Sequence, residues 1–479
     1  MTRCLRAVDL EWIMGDREAA GRGRAVKDII IVGAGLSGRL LALNLLRQAP
    51  SGGPLTLRLI DRGGEHYMGP AYSNDADHLL LNVPVARMGA WPDDPEHFWR
   101  WVRDRGIRAE SGSFVPRKLL REYVFELMAE AVSDRADTRV FEHRRGEVTD
   151  IEITAGRVAV QLSGGESLAA DKVVLPLGNF PSRHPPVGDP AVLQSERYVR
   201  NAWHPTALDL LSPDDPVALI GTGQTMVDLL VTLEKRGHRG KITAISRRGL
   251  LPMAHRQSEQ WPSFYSEIEG ASRLLEVSRA IRGQVARAQA SGMDPRAVID
   301  SLRPHTQAIW SGLPESEKRR FMRHLFRYWE IIRSRIPPES QAVIDRLRAA
   351  GQFDVVAGRI STLVDTGREM EIHYARRQAA GRGVLAAALV VNCVGPESDL
   401  GKVDQPLVRN LLRRGLIRPG PAHIGLDATP AGAIMGRGGA PSGHLFTLGP
   451  IMKGVLWEVL AVPEIRVQAQ RLATQLLEG

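Results

Sequence analysis

Cysteine is almost missing: Cys4 and Cys393 are the only two in 479 residues, and they stand far apart. With no Cys-x-x-Cys pair, a dithiol redox centre and a thiolate zinc site are disfavoured, no metal is expected, and a reducing cytoplasm fits. No run of about 18 apolar residues occurs, so no membrane-spanning helix is expected. The first two dozen residues carry Arg and Asp throughout and have no apolar stretch, so no signal peptide is read there. Residues 1–25 read instead as a disordered N-terminal extension. Long basic runs are lacking too: Lys+Arg number 63 against 54 Asp+Glu, a net charge of +9 spread along the chain. That pattern argues against a nucleic-acid partner.

What is present is ordinary globular composition, 43% hydrophobic and 24% charged. The length exceeds what one core usually serves, so two or three domains are expected.

Residues 27–32 read as a buried strand of the parallel-sheet kind. Gly33-Ala34-Gly35-Leu36-Ser37-Gly38 follows at once, and Leu40, Leu41, Leu43, Leu45 and Leu46 then give a helix with a wide apolar face. A second strand, Leu55 to Ile60, ends at Asp61. In this pattern Gly33 permits the tight turn, Gly35 lets backbone approach a pyrophosphate, and Gly38 lets helix and strand pack closely. The helix N-terminus offers free N–H groups to phosphates. Asp61, 23 residues after Gly38, can accept from ribose hydroxyls. The site favours an unphosphorylated adenosine ribose, as in FAD or NAD.

The pattern returns at Val217 to Ile220, followed by Gly221-Thr222-Gly223-Gln224-Thr225-Met226, a helix through Leu233, a stop at Gly237 and a strand from Lys241 to Ile245. Two departures matter. Met226 replaces the third glycine, so helix and strand should pack less closely. Ser246-Arg247-Arg248 stands where Asp61 stands in the first copy. An acid would repel a 2′-phosphate and arginine would attract one, so this site favours NADP.

Each copy is followed by alternating strands and a buried strand ending in glycine, Lys172 to Gly178 and Ala388 to Gly395. Pro176 removes an N–H inside the first of these, which is unfavourable in a central strand. The repeat predicts an α/β protein of two nested Rossmann-like dinucleotide-binding domains with a helical insertion. The FAD-binding domain is expected over 26–212 plus 397–479, and the NADPH-binding domain over 213–396 with the insertion at about 256–350. The tail from Leu445 should complete the first sheet and continue into two helical stretches. Trp261, Trp310, Phe321, Phe326 and Trp329 are expected to be mostly core.

Several segments together resemble a known family: Val32 to Gly38, Met68-Gly69-Pro70-Ala71-Tyr72-Ser73, Leu80-Leu81-Asn82-Val83-Pro84, Phe114-Val115-Pro116-Arg117, Gly221 to Asp228, Ser246 to Pro252 with His255, and Gly449-Pro450 through Trp457-Glu458. The chain is similar to the bacterial FAD/NAD(P)-binding proteins that include FAD-dependent urate hydroxylase and aspartate N-hydroxylating monooxygenases, and more distantly to lysine and ornithine N-hydroxylases. The resemblance implies that Gly33, Gly35, Ser37, Gly38, Asp61, Gly178, Gly221, Gly223, Gln224, Thr225, Arg247 and Arg248 contact FAD and NADPH. It also implies that Leu81 to Pro84 runs past the isoalloxazine.

The implied activity is an FAD-dependent, NADPH-using monooxygenase hydroxylating a small polar or nitrogenous substrate with O2, through a C4a-hydroperoxyflavin. Asn82, Arg87 and Arg117 are candidates to hold the substrate, or else ordinary loop and surface groups. His255 is a candidate acid or base, or else structural. Two other readings stay open: an NAD(P)H-dependent flavin reductase passing electrons to a small molecule or protein partner, and a non-enzymatic flavin-binding module.

Overall fold

The structure, a computed structural model, describes residues 27–478 apart from 50–53, 65, 135–138, 155, 205, 257–258 and 378–380. The extension expected at residues 1–25 lies outside the described residues. The chain runs through β1 (Lys27–Val32), α1 (Leu36–Gln48), β2 (Leu55–Asp61), α2 (His97–Asp104), α3 (Arg117–Ser133) and β3 (Arg139–Arg145). An antiparallel meander follows, β4 (Val148–Thr154), β5 (Arg157–Leu162) and β6 (Ser167–Ala170), and then β7 (Lys172–Val174), β8 (Phe180–Ser182) and β9 (Tyr198–Val199).

The second copy begins with β10 (Val217–Ile220), α4 (Gln224–Lys235) and β11 (Ile242–Ser246). Five helices intervene: α5 (Leu274–Ala290), α6 (Arg296–Ser301), α7 (Thr306–Gly312), α8 (Glu315–His324) and α9 (Phe326–Arg333). Then come α10 (Pro338–Ala349), β12 (Phe353–Asp365), β13 (Met370–Arg376), β14 (Arg382–Ala387), β15 (Leu389–Asn392) and β16 (Pro396–Glu397). The chain closes with α11 (Pro406–Arg414), β17 (Ala433–Met435), β18 (Pro441–Phe446) and α12 (Val462–Glu478).

Among the described residues there are two large sheets, ordered β17-β18-β7-β1-β2-β3 and β14-β13-β12-β11-β10-β15-β9, beside the β4-β5-β6 meander and a β16-β8 pair. Around each glycine motif the pairing is parallel and the topology is the same: β3-β2-β1-β7 repeats as β12-β11-β10-β15. This is the doubly wound dinucleotide-binding arrangement, twice over. The chain leaves the first sheet after β7 and returns to it at β18, which lies parallel to β7 with Leu445 opposite Val173. The second fold is therefore nested in the first.

The repeat holds in detail. Gly33 donates to Ile60 O at 2.8 Å, and Gly221 donates to Ile245 O at 2.8 Å. Both glycines have positive φ, and a Cβ would meet Pro176 O at 2.9 Å in the first copy and Cys393 O at 2.8 Å in the second. Gly38 packs so tightly that a Cβ would lie 1.9 Å from Gly33 O. Met226, its counterpart, is fully buried in the second core, so the start of α4 must stand farther from its turn than α1 does.

Helix α1 is buried nearly all round because the first sheet covers one side and α12 the other. Truncating a fully buried leucine there, such as Leu41 or Leu43, costs about 2–5 kcal/mol.

Four sequence expectations need correction. The strand β7 ends at Val174, so Pro176 lies beyond the ladder and its missing N–H breaks no strand pairing; Leu175 N still donates to Phe446 O at 2.8 Å. The helical insertion does not run to 350: α10 packs on α4 through Val343, Ile344 and Leu347 and is the crossover helix between β11 and β12, as α3 is between β2 and β3. The chain also enters the second sheet at β9, ahead of the boundary expected at 213, with Tyr198 opposite Val390. The tail makes one 3-10 turn, Pro450–Met452, and one long helix rather than two helical stretches.

Candidate functional site

Both sheets point the C-terminal ends of their parallel strands into one cleft of about 2470 Å³, lined by Val32, Gly33, Ile60 and Asp61 from one fold and by Ile220, Gly221, Ile245 and Ser246 from the other. Open α/β sheets bind ligands at this edge.

The first motif meets the demands of a dinucleotide. A Cβ on Gly35 would find only Met68 O, at 4.0 Å, and Gly35 has φ −66, so the protein's own packing does not require glycine there. Helix α1 has neither a side-chain cap nor an acid in its first turn. Its N–H groups and positive dipole end are left for an anion. Asp61, at the end of β2, accepts from Ala34 N through Oδ2 at 2.9 Å and from Gly63 N through Oδ1 at 2.6 Å. Each oxygen keeps a lone pair for a ribose hydroxyl. Gly178 lines the cleft at φ +64 with open space beside it. Ser37 is buried against Gly449 and does not line the cleft.

The second motif repeats the cradle. Gly223 lines the cleft with nothing within 4 Å of a built Cβ, and α4 again lacks a side-chain cap and a first-turn acid. Ser246 takes the register position of Asp61, one residue past Ile245. Its hydroxyl is tied to Thr222 Oγ1 and Gly249 N, both at 3.0 Å. Arg247 faces a cluster of arginines, and its pKa is lowered by burial and by Arg327, Arg248, Arg183 and Arg359. Arg183 is paired with Glu397 at 2.8 Å and Arg327 with Glu330. Among the described residues no carboxylate reaches Arg247. Arg248 turns instead to the ring of Tyr328, 4.8 Å away, and to the carbonyls of Arg323 and His324. Thr225 also lines the cleft.

The remaining candidates meet where the two folds join. Asn82 Nδ2 donates to Gln224 Oε1 at 2.7 Å, and Gln224 Nε2 donates to Arg335 O at 3.2 Å. Gln224 is thus bound to protein on both sides. His255 Nε2 lies 3.0 Å from Asn82 O. A carbonyl only accepts, so Nε2 carries the proton. Burial lowers the pKa of His255, which favours the neutral ring with Nδ1 as its basic nitrogen.

Arg117 is committed elsewhere. It grips Asp228 of α4 with two bonds of 3.0 and 2.9 Å and donates Nε to Leu80 O at 2.8 Å. Burial pushes the Asp228 carboxyl up, and Arg117 pulls it back. Arg87 lines the cleft beside Arg303, Arg333, Glu464 and Asp300, and burial lowers its pKa.

Several cleft residues carried no separate signal in the sequence. Glu458 has φ +66 and accepts from Trp329 Nε1 and Arg333 Nε, each at 3.0 Å. Lys453 sits between the rings of Phe326 and Trp457, 4.6 and 5.0 Å away, and burial lowers its pKa. Of the aromatics expected in the core, Trp310 and Phe321 are buried, and Trp261, Phe326 and Trp329 pack against core clusters while one side of each also lines the cleft. Among the described residues no group of His, Cys, Asp and Glu is placed to hold a metal, and no helix is long and apolar enough to cross a membrane.

Fold and cleft together define a protein with two dinucleotide-binding folds that share one site. Residues 30–180 match the model of a family described as FAD-NAD(P)-binding. No curated protein matches the chain. Among solved structures, an ornithine hydroxylase of Pseudomonas aeruginosa is similar with a TM-score of 0.63 at 16% identity, covering 95% of this chain and 99% of that one. A cadaverine monooxygenase of Erwinia amylovora, solved bound to FAD, gives 0.62 at 14% identity, with 94% of each chain covered. A bacillithiol disulfide reductase of Staphylococcus aureus gives 0.56 at 11% identity, covering 94% of this chain and 98% of that one. At these identities the likeness is one of fold.

Proposed function

We propose that the chain is an FAD-dependent, NADPH-using monooxygenase that hydroxylates a small polar or nitrogenous substrate with O2. One observation carries this reading: two dinucleotide cradles with opposite ribose chemistry, Asp61 in one and Arg247 in the other, open into a single cleft. In this reading Asp61, Gly35 and the start of α1 hold FAD. Gly223, the start of α4 and Arg247 hold NADPH, with Arg247 on the 2′-phosphate. Bound FAD would accept hydride from NADPH and pass electrons to oxygen. The chain's own part is to orient both cofactors, exclude water and hold the substrate. The His255–Asn82–Gln224–Arg335 links support it by fixing the junction of the two folds over the cleft.

Disulfide reduction by a protein thiol is disfavoured. Cys393, the cysteine among the described residues, is buried, and burial pushes its thiol well up. The experiment is to supply the FAD-loaded protein with NADPH and oxygen over a panel of amines, amino acids and urate, following NADPH, hydrogen peroxide and hydroxylated product together. Product formed in step with NADPH supports the reading. Peroxide alone across the whole panel contradicts it.

A further inference from the structure

One wall of the cleft carries a nearly balanced set of charges. Arg303 pairs with Glu464 at 3.0 Å, Arg333 with Glu458 at 3.0 Å and Arg335 with Asp300 at 2.8 Å. All six side chains line the same cavity, and so does Arg87. Three cations answer three carboxylates, and Arg87 is left over. Among the described residues no carboxylate lies within ion-pair reach of its guanidinium and no acceptor takes its hydrogen bonds. Its backbone is held in place, with N donating to Pro84 O at 3.0 Å and O accepting from Arg466 Nη1 at 3.1 Å. Arg87 is an exposed guanidinium on a fixed backbone, and it lines the cleft beside satisfied pairs, where it can take one anion.

We propose that Arg87 is the residue that docks the substrate, through a carboxylate the substrate carries. A planar guanidinium matches a carboxylate with two parallel hydrogen bonds, which selects orientation as well as charge. Arg87 ends the 3-10 turn, Val85–Arg87, that follows the Leu81-Asn82-Val83-Pro84 segment lining the cleft, so an anion held there is anchored beside the junction of the two folds. Glu458, Glu464 and Asp300 are already neutralised by their arginines, so the wall does not repel a carboxylate. This inference rests on the monooxygenase reading and names the chemistry of its substrate.

The test uses FAD-loaded protein and matched probes: L-ornithine against putrescine, L-lysine against cadaverine, and L-aspartate against its dimethyl ester. Binding is read from the flavin spectrum and by calorimetry. At least one carboxylate should bind roughly ten- to hundred-fold tighter than its partner, as expected for charge-assisted hydrogen bonds. Arg87→Gln should remove that preference, and Arg87→Lys should retain only part of it. If Arg87→Gln does not fold, the Lys variant still decides, because an undiminished preference there overturns the proposal. No preference in the wild type for any pair, or a preference that survives Arg87→Gln, also overturns it. A shift in NADPH or FAD affinity with the carboxylate preference intact would place a cofactor anion on Arg87 and equally overturn it. Failure of the monooxygenase reading is seen separately, in wild-type protein whose flavin NADPH does not reduce.

Discussion

Removing either partner of the Arg117–Asp228 pair should unfasten the two folds. The side chains are 11% and 14% exposed, and the pair makes two bonds of 3.0 and 2.9 Å. Arg117 begins α3 of the first fold and Asp228 lies on α4 of the second, so the bond crosses the junction. Arg117→Met leaves a carboxylate without its cation, and Asp228→Leu leaves a guanidinium with only Leu80 O. Breaking a buried pair in this way costs about 3–5 kcal/mol, whereas replacing both partners with apolar groups can be nearly neutral. Each single variant should therefore lose about 3 kcal/mol, at the low end because a little solvent reaches both groups. The double variant should lose far less than the sum. Urea unfolding of the wild type, both singles and the double gives the cycle, and Trp203, whose ring lies 5.5 Å from the Arg117 guanidinium, reports the junction. Singles costing under about 1 kcal/mol, or losses that simply add, would show that the pair does not fasten the folds and would return Arg117 to the candidates for substrate.

Other outcomes follow from the same geometry. Arg247→Ala should weaken NADPH binding about tenfold or more while leaving NADH little changed, and Arg248→Ala, whose guanidinium rests on Tyr328, should do much less; nucleotide titration checks both. Gly35→Ala should leave the melting temperature near that of wild type yet impair FAD binding, whereas Gly38→Ala should destabilise the fold itself; melts with and without FAD separate the two. Burial lowers the pKa of His78, His184, His238 and His255 below the ordinary 6.5. Their contribution to stability is complete above pH 6.5 and declines as pH falls below it, because the unfolded chain takes up protons first. The urea midpoint should be lower at pH 5.5 than at pH 7.5, and His255→Gln should reduce the difference.

What could be read from the sequence was local. Both glycine motifs, their strands and the exchange of Asp61 for Ser246-Arg247-Arg248 sit within short windows, where strand period and glycine spacing carry the signal. The nesting was readable as well, because Leu445 to Leu448 has the texture of a buried strand; β18 itself begins earlier, at Pro441, and ends on Leu445 and Phe446. The links between the folds were not. Arg117 and Asp228 lie 111 residues apart, and nothing in either neighbourhood distinguishes a guanidinium that meets a carboxylate from one that meets a substrate. Gln224 fits a phosphate loop by position, yet Asn82 and Arg335 engage its amide. Helix α10 resembles the helices before it in composition, and only its packing on α4 shows that it belongs to the nucleotide fold. That Arg87 is left without a partner emerges only when the charges around it, Arg303, Arg333, Glu464 and Asp300, are paired in space.

The proposed function requires NADPH and FAD to meet in the shared cleft. It is tested most directly by anaerobic mixing of the FAD-loaded protein with NADPH and, separately, NADH, with ornithine, aspartate or urate present, following the visible flavin band. NADPH should bleach the flavin faster than NADH does, with the advantage reduced in Arg247→Ala. A flavin that neither nucleotide bleaches, or one that both bleach equally in wild type and variant, would contradict it.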